Sequence, residues 1–530
     1  MSTVKDDAMS SPAPTSATPV PSSASKYGEK SKRRGPKLVL LSESFHRQLI
    51  QRDQSPIIHA IMAIKSEPTD SDVSAVLTKA VTTYPLFGAT VSAPTGCGCT
   101  KSMYWELDDS PVDGARLLQD HVTRVTLTPT LEGSELEDDF NEFDRSNNTS
   151  IDKALREHVS SLIGTGFDLT KGGFQLHVIR YEDQSAKKKS IQRCDMLWRM
   201  HHGIGDGIML SKVLISLCEE IKGAEDAAPA RASPKRAKKK ISPFVMAGKA
   251  FYSVGKVLGI PLFHDPKTLF KAPTNYKKMG KAKSYGATRV WSLQAAKDAG
   301  KPFGATLNDV VMAALSLAMR RYMIKREDPA VMGKKGKKLS VRALAVVNTR
   351  AAGAAGDRLL EDFSKCKSPN EFSYVVPTLP VGEMSVRERV LACNKDMNSL
   401  KSSPEAFVIK KLNNGIRDVL GGAFTLAFNA DYVINRLTCF FSNLPGPTSK
   451  LSCCEVEVER LSNFVHPMMY SCGLSIQSYN GEIVTNCSCD SKLIPDPDVF
   501  MAMADEAFDE ICEDSAKYLS EQQALLDEEI

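Results

Sequence analysis

"WRMHHGIGDGIML", residues 198–210, sets two histidines side by side at the end of an apolar strand and follows them with Asp206 among three glycines. In an extended strand, neighbouring side chains point to opposite faces. Met196, Trp198 and Met200 therefore share a face, and continued alternation puts His202 with them. His201 goes with Asp195, Leu197 and Arg199. The two rings should thus part company, one facing a cavity and the other held in the protein body. Parity assigns the cavity to His202 if the strand stays regular that far.

Several chemistries compete for this stretch. A metal site would use His202 and Asp206, four apart on a helix. Gly203, Gly205 and Gly207 make a regular helix costly there, and no third ligand stands nearby, so no metal is expected. "GIGDG" misses the spacing of a dinucleotide fingerprint and lacks the lysine-serine pair of a phosphate loop. A hydrogen-bonded core histidine beside a glycine turn is the default for a lone histidine, but doubled histidines with an aspartate and three glycines ask for more. Acid–base chemistry fits best. An imidazole with an ordinary pKa of about 6.5 is largely neutral near pH 7 and can take a proton from an alcohol. Asp206 could orient that ring or anchor the loop, and the glycines let a substrate approach the backbone.

The rest of the chain bounds the fold. Its 530 residues are enough for two or more domains with large cores. The 68 basic and 63 acidic residues nearly cancel, so no global field points to nucleic acid. No charged start followed by an apolar core marks a secretory leader, so the thirteen cysteines are expected as free thiols in a reducing compartment. "CGC" at 97–99, "CC" at 453–454 and "CSC" at 487–489 lack zinc-knuckle spacing. Residues 1–37 contain a Ser/Pro/Ala-rich stretch that reads as a disordered tail. Residues 38–221 form a first globular region, with helical spacing at Val73, Val76, Leu77 and Ala80, strands at 173–182 and 194–201, and a buried helix over 208–221. Residues 222–285 are a linker ending in the basic run Lys235, Arg236, Lys238, Lys239 and Lys240, followed by the apolar segment 241–263. Lys249 and Lys256 fall on one face of that segment, so crossing a bilayer is not expected. Two readings remain for it: lying in the interface beside an anionic leaflet, or packing on its own domain. Residues 286–525 form a second globular region with strands and helices of its own. Both regions mix the two element types, which gives an α/β architecture.

Four motifs in order carry a resemblance. "HHGIGDG" (201–207) is similar to the HHxxxDG motif of acyltransferases related to chloramphenicol acetyltransferase and of peptide-synthetase condensation domains. "TLNDVVMAAL" (306–315), "VVNTR" (346–350, with Val346 for a proline) and "FFSNLPGP" (440–447, with Leu444 for a valine) resemble segments of the wax ester synthase/diacylglycerol acyltransferase family. The family's Pro-Leu-Trp segment is replaced here by Gly172, Gly173 and Phe174, which bears on acyl-chain preference. The resemblance implies two chloramphenicol-acetyltransferase-like domains, each a mixed sheet with helices, and a tunnel at their interface. It implies transfer of a fatty acyl group from acyl-CoA to a long-chain alcohol or to diacylglycerol, with no other cofactor. His202 would be the general base. Asn308 and Ser442 would be candidate donors to the oxyanion. His201, Asp206, Gly207, Asp309, Arg350, Asn443, Pro445 and Gly446 would be structural, with Arg350 the candidate ion-pair partner of Asp206 and Asn443 a candidate brace of the Pro-Gly-Pro turn. The expected setting is peripheral, on the cytosolic side of the endoplasmic reticulum, the plasma membrane or a lipid droplet. Rival functions are a condensation-type or small-alcohol or amine acyltransferase, and a lipid-binding membrane protein that has lost catalysis.

Overall fold

The computed structural model describes residues 37–40, 56–91, 104–107, 110–130, 146, 149–166, 168–183, 190–221, 243–274, 278–350, 370–420 and 433–528. The expected tail, apart from Lys37, and the basic run 235–240 lie outside these residues.

Two large sheets organise the chain. The first contains β2 (Ile57–Ile64), β5 (Val122–Leu127), β6 (Phe174–Glu182), β7 (Ser190–His201) and β8 (Glu219–Glu220) from the first half, with β15 (Leu451–Cys453) and β16 (Val456–Val465) from the second. Its order is β5-β6-β7-β2-β16-β15-β8, and only β5 and β6 run parallel. A small antiparallel sheet of β1 (Lys37–Leu40), β3 (Thr90–Val91) and β4 (Tyr104–Leu107) accompanies it. The second large sheet has the order β10-β18-β17-β14-β11-β12. Its strands are β9 (Lys283–Ala287), β10 (Trp291–Ser292), β11 (Ser340–Asn348), β12 (Phe372–Val375), β13 (Thr378–Pro380), β14 (Cys439–Leu444), β17 (Cys472–Tyr479) and β18 (Glu482–Asp490), with β9 on β18 and β13 on β11. The β11–β14 and β14–β17 pairs are parallel. Both sheets are mixed, in agreement with the α/β reading.

The exchange of β15 and β16 has a physical cause. Without β16, β2 would be an open edge carrying unpaired backbone groups beside a core strand. β16 covers it from Val458 to Val465, and its Phe464 stacks on the buried His59 ring at 4.6 Å. The segment 451–465 therefore folds into the sheet of the first region rather than with the sequence around it.

The helices follow their caps. α1 (Asp70–Thr83) and α3 (Ser150–Ile163) start with Thr-Asp capping boxes at Thr69–Asp72 and Thr149–Asp152. α2 spans Gly114–His121 and α4 Gly207–Leu217. α4 buries Met209, Leu210, Val213 and Leu214 against the core that holds Trp105, Phe174, Trp198 and Met200. α6 (Leu293–Gly300), α7 (Leu307–Lys325), α8 (Val386–Lys401) and α10 (Pro497–Glu528) pack on the second sheet. α7 is apolar nearly all round and buries Val310 through Leu315 with Phe500 and Phe508 of α10, as a core helix should.

α5 (Pro243–Gly259) lies on α9 (Glu405–Leu420). Its inward face holds Ser253, Val257 and Lys256, and the Lys256 ammonium is 2.9 Å from Glu405 and 3.3 Å from the Val376 carbonyl. Its outward face leaves Phe251 83%, Tyr252 70% and Leu258 57% exposed, with Leu262 at 75% and Phe263 at 68% just beyond. The polarity is inverted relative to an ordinary surface helix: the described lysine points in and the aromatics point out. No single described helix is long and apolar enough to cross a bilayer. The bent α6–α7 pair has the length and composition, but α7 spends its apolar surface on the core.

Candidate active site

β7 ends at His201, and the two histidines separate there. His201 N–H donates to Gly173 O and His202 N–H to Pro56 O, each at 2.8 Å, and Ile204 N–H then closes a turn onto His201 O. The His201 ring is enclosed. It packs edge-on to Trp105 at 6.1 Å, its Nδ1 accepts from Gly203 N–H at 3.0 Å, and its Nε2 is buried with no hydrogen-bond partner among the described residues. Burial, helped by the neighbouring His202, holds its pKa down at about 3. Strict alternation would aim this ring to the Arg199 side; because the strand stops here, the ring turns onto the Trp105 core instead. Gly203 permits this, since a Cβ at that position would stand 2.8 Å from the His201 ring.

His202 lies past the strand end, partly buried, and meets the second half of the chain. Its ring lies 5.7 Å from that of Phe372, and its Nδ1 is 3.0 Å from Asn370 Oδ1. An amide oxygen only accepts, so the imidazole donates from Nδ1 and a neutral ring carries its lone pair on Nε2. Burial lowers the His202 pKa below the ordinary imidazole value, while Asp206 and the Asn370 bond oppose that shift. The ring is therefore neutral at pH 7.

Asp206 is the fixed point of the loop. It is the N-cap of α4, accepting from Met209 N–H at 3.0 Å. It also receives Arg350 in a two-pronged ion pair, Nη1 to Oδ1 at 3.0 Å and Nη2 to Oδ2 at 2.7 Å, and Glu371 N–H at 2.9 Å. Both side chains of the pair are only 6% exposed. Trp105 Nε1–H and Tyr84 O–H hold the loop from behind, on the carbonyls of Gly203 (3.2 Å) and Ile204 (2.6 Å).

The motifs of the second half reach the same region. Asn443 Nδ2 donates to Asn308 Oδ1 at 2.5 Å, which links the end of β14 to the start of α7. Asn443 thus braces Asn308. Asp309 caps α7 through Thr306 N–H at 2.7 Å and the Thr306 hydroxyl at 2.8 Å. Leu444 abuts Gly207, where a Cβ would lie 3.1 Å from its Cδ1. Ser442 sits one residue before Asn443 on β14, opposite Ser475 of β17. Pro445 is exposed, and Gly446 lies so close to β17 that a Cβ would overlap the Ser478 carbonyl. A small, partly open pocket lies where α4 and the two large sheets meet. Ile58, Met62, Met200, Leu210, Leu214, Leu444 and Leu461 make its walls apolar, and Asn463 and Gln477 give it a polar end. Met200 and Gly207 line it; His202, between them in sequence, does not.

Asn370, Glu371 and Phe372, which hold the His202 ring and the Asp206 carboxylate, carry no signal of this role in the sequence. They sit in "SPNEFSYVV" (368–376), which matches no motif and lies 168 residues from His202. Only the pairing of β11 with β12 brings them there.

Known proteins resemble this chain in sequence and in fold. The family model of the WS/DGAT C-terminal domain matches residues 369–512. Wax ester synthase/diacylglycerol acyltransferase 2 of Arabidopsis thaliana is 24% identical over 372 residues, covering 65% of this chain and 74% of its own length. Number 3 of the same plant is 24% identical over 389 residues, covering 67% and 74%. Among solved structures, the wax ester synthase/diacylglycerol acyltransferase from Marinobacter aquaeolei VT8 superposes with a TM-score of 0.55 at 15% identity, covering 90% of this chain and 99% of that one. The first condensation domain of the calcium-dependent antibiotic synthetase gives 0.52 at 12% identity, covering 90% and 97%. The solved structures share the fold, and the plant relatives and the family model extend the likeness to sequence. Residues 369–512 thus match the WS/DGAT C-terminal domain, and the chain as a whole is similar to wax ester synthase/diacylglycerol acyltransferases in sequence and fold.

Proposed function

We propose that this protein is an acyl-CoA-dependent O-acyltransferase that moves a fatty acyl group to a long-chain alcohol, to diacylglycerol or to both, with His202 as the general base. The observation that carries this is the Asn370–His202 hydrogen bond, which leaves the lone pair of a neutral imidazole on Nε2. In this reading Nε2 takes the hydroxyl proton as the alcohol oxygen attacks the thioester carbonyl. The tetrahedral intermediate then collapses, the carbon–sulfur bond breaks, and the leaving thiolate takes the proton back from the imidazolium. No covalent acyl-enzyme is needed, and coenzyme A enters only as part of the donor. Asn308 and Ser442 are the candidate donors to the developing oxyanion. Asp206 acts through position: with Arg350 it fixes the loop that carries His202. The apolar walls beside Met200 and Gly207 have the chemical character that contact with a hydrocarbon tail requires.

The same reading sets the protein at a lipid surface, where its substrates reside. The outward aromatics of α5 support it, together with the basic run that ends three residues before Pro243. The experiment is coenzyme A release from a fatty acyl-CoA, with product analysis, offering hexadecanol, diacylglycerol and a primary amine as acceptors. Ester formation with either lipid is expected. Turnover with the amine alone, or with none of the three, would reject the proposal.

A further inference from the structure

The "CC" pair at 453–454 plays no part in the chemistry above, yet the fold gives it a third thiol. β8 and β15 pair antiparallel, with Leu451 opposite Glu220 and Ser452 opposite Glu219. Cys218 precedes β8 in an extended conformation, φ −92° and ψ 165°, so the next rung of the ladder sets it across from Cys453. Ile221 N–H donates to Lys450 O at 3.0 Å, which makes 221/450 a hydrogen-bonded rung. Rungs alternate, so 219/452 is hydrogen-bonded and 218/453 is not. At a rung without hydrogen bonds the Cα atoms are only about 4.5 Å apart and the side chains come closest. A disulfide spans Cα separations of roughly 4.4–6.8 Å.

The local backbone is unusual as well. Cys454 and Glu455 form the two-residue turn between β15 and β16, with φ of 54° and 60°. Such turns favour Asn-Gly or Asp-Gly, because a side chain is disfavoured in the left-handed region. The neighbouring Cys218 thiol is the first cause that pushes the Cys453 thiol up, and the Cys453 thiol does the same to Cys454. Cys453 is buried, whereas Cys218 is only partly so, with its Sγ 3.5 Å from Leu214 O.

We propose that Cys218 and Cys453 are a redox-modifiable dithiol, closed into a cross-strand disulfide by a small-molecule disulfide such as oxidised glutathione. The Cys218 thiolate attacks one glutathione sulfur and expels a glutathione thiolate, which takes up the proton that Cys218 released. Cys453 then loses its proton and attacks the Cys218 sulfur, and the second glutathione departs with that proton. Two protein thiols are oxidised to one disulfide, and one glutathione disulfide is reduced to two thiols. The link ties the end of α4, the helix that Asp206 caps, to the strands that cross over from the second half. An internal reference exists. Cys472 and Cys489 also face each other, with their sulfurs 3.7 Å apart, but both are fully buried and closed to an oxidant.

The test does not depend on catalysis. The full-length protein is reduced, freed of reductant, treated with oxidised glutathione, alkylated and mapped by mass spectrometry. A Cys218–Cys453 linkage lacking two hydrogens is expected, reversed by dithiothreitol, with Cys472 and Cys489 alkylated as free thiols. Cys218→Ser should abolish the link, and Cys454→Ser should retain it; circular dichroism shows that both variants are folded. Recovery of Cys218 as a free thiol, as a stable glutathione adduct beside reduced Cys453, or bypassed by a Cys453–Cys454 link would overturn the proposal.

Discussion

At the scale of single residues, the site separates a ring that reacts from a ring that supports. His202→Ala should lower acyl transfer by roughly 10²–10⁴-fold, the usual contribution of a general base, while the protein stays folded. A thioester-release assay beside a thermal melt checks both halves of that statement, and near-normal turnover would remove His202 from the mechanism. Asp206→Ala should act differently. It leaves Arg350 buried without its carboxylate and removes the cap of α4, so it should cost about 3–5 kcal/mol of stability. Denaturant unfolding measures this, and a loss below about 1 kcal/mol would mean that the pair is not structural. Protonation sets a pH limit. The folded pKa of His202 lies below its ordinary value, so the base stays neutral at pH 7 and is lost only as pH falls below about 6.5. The acid limb of the rate profile should therefore lie below that pH.

At the scale of elements, α5 and β14 make contrasting claims. α5 exposes Phe251 and Leu258, with Leu262 just beyond its end, and turns Lys256 inward. Phe251→Asp with Leu262→Asp should weaken sedimentation with anionic liposomes at least tenfold and leave the melting temperature unchanged, because neither residue packs on the protein. Binding should also weaken with added salt, since the neighbouring basic run is screened. Unchanged liposome binding would reject the lipid-facing role. β14 has no such freedom at its end. Gly446→Ala sets a Cβ against the Ser478 carbonyl and would force β14 away from β17. Helix and strand types were largely legible in advance, since α4 and α7 are apolar runs with clear starts and β7 alternates cleanly. Which face of α5 turns outward was not, because its amphipathicity is inverted by one partner, Glu405, 149 residues away.

At the scale of the whole molecule, the two halves are sewn together by β15 and β16 and by the Asp206–Arg350 pair. A fragment ending at residue 240 lacks the strand that covers β2, so it should be insoluble alone and be rescued by co-expression with 241–530. A soluble, cooperatively melting fragment would show that the crossover is dispensable. Buried histidines give the assembled protein an acid weakness. His177 is held down to about 4, and His201 and His466 to about 3, each chiefly by burial. An unfolded chain binds these protons near pH 6.5 and the folded one does not, so their contribution is complete above that pH. It is lost as pH falls toward about 4 and 3, and denaturation midpoints measured between pH 7 and pH 4 should drop steadily.

Elements, motifs and their order follow from local sequence, because hydrophobic period, caps and glycine turns act over a few neighbouring residues. The resemblance to related folds pointed to Arg350 as a partner for Asp206. Folding in three dimensions is what brings Asn370 to His202, Leu444 to Gly207, β16 to the open edge of the first sheet and β15 to β8. Those contacts join residues tens to hundreds of positions apart. They are selected by covering open strand edges and buried charges, which no local pattern records.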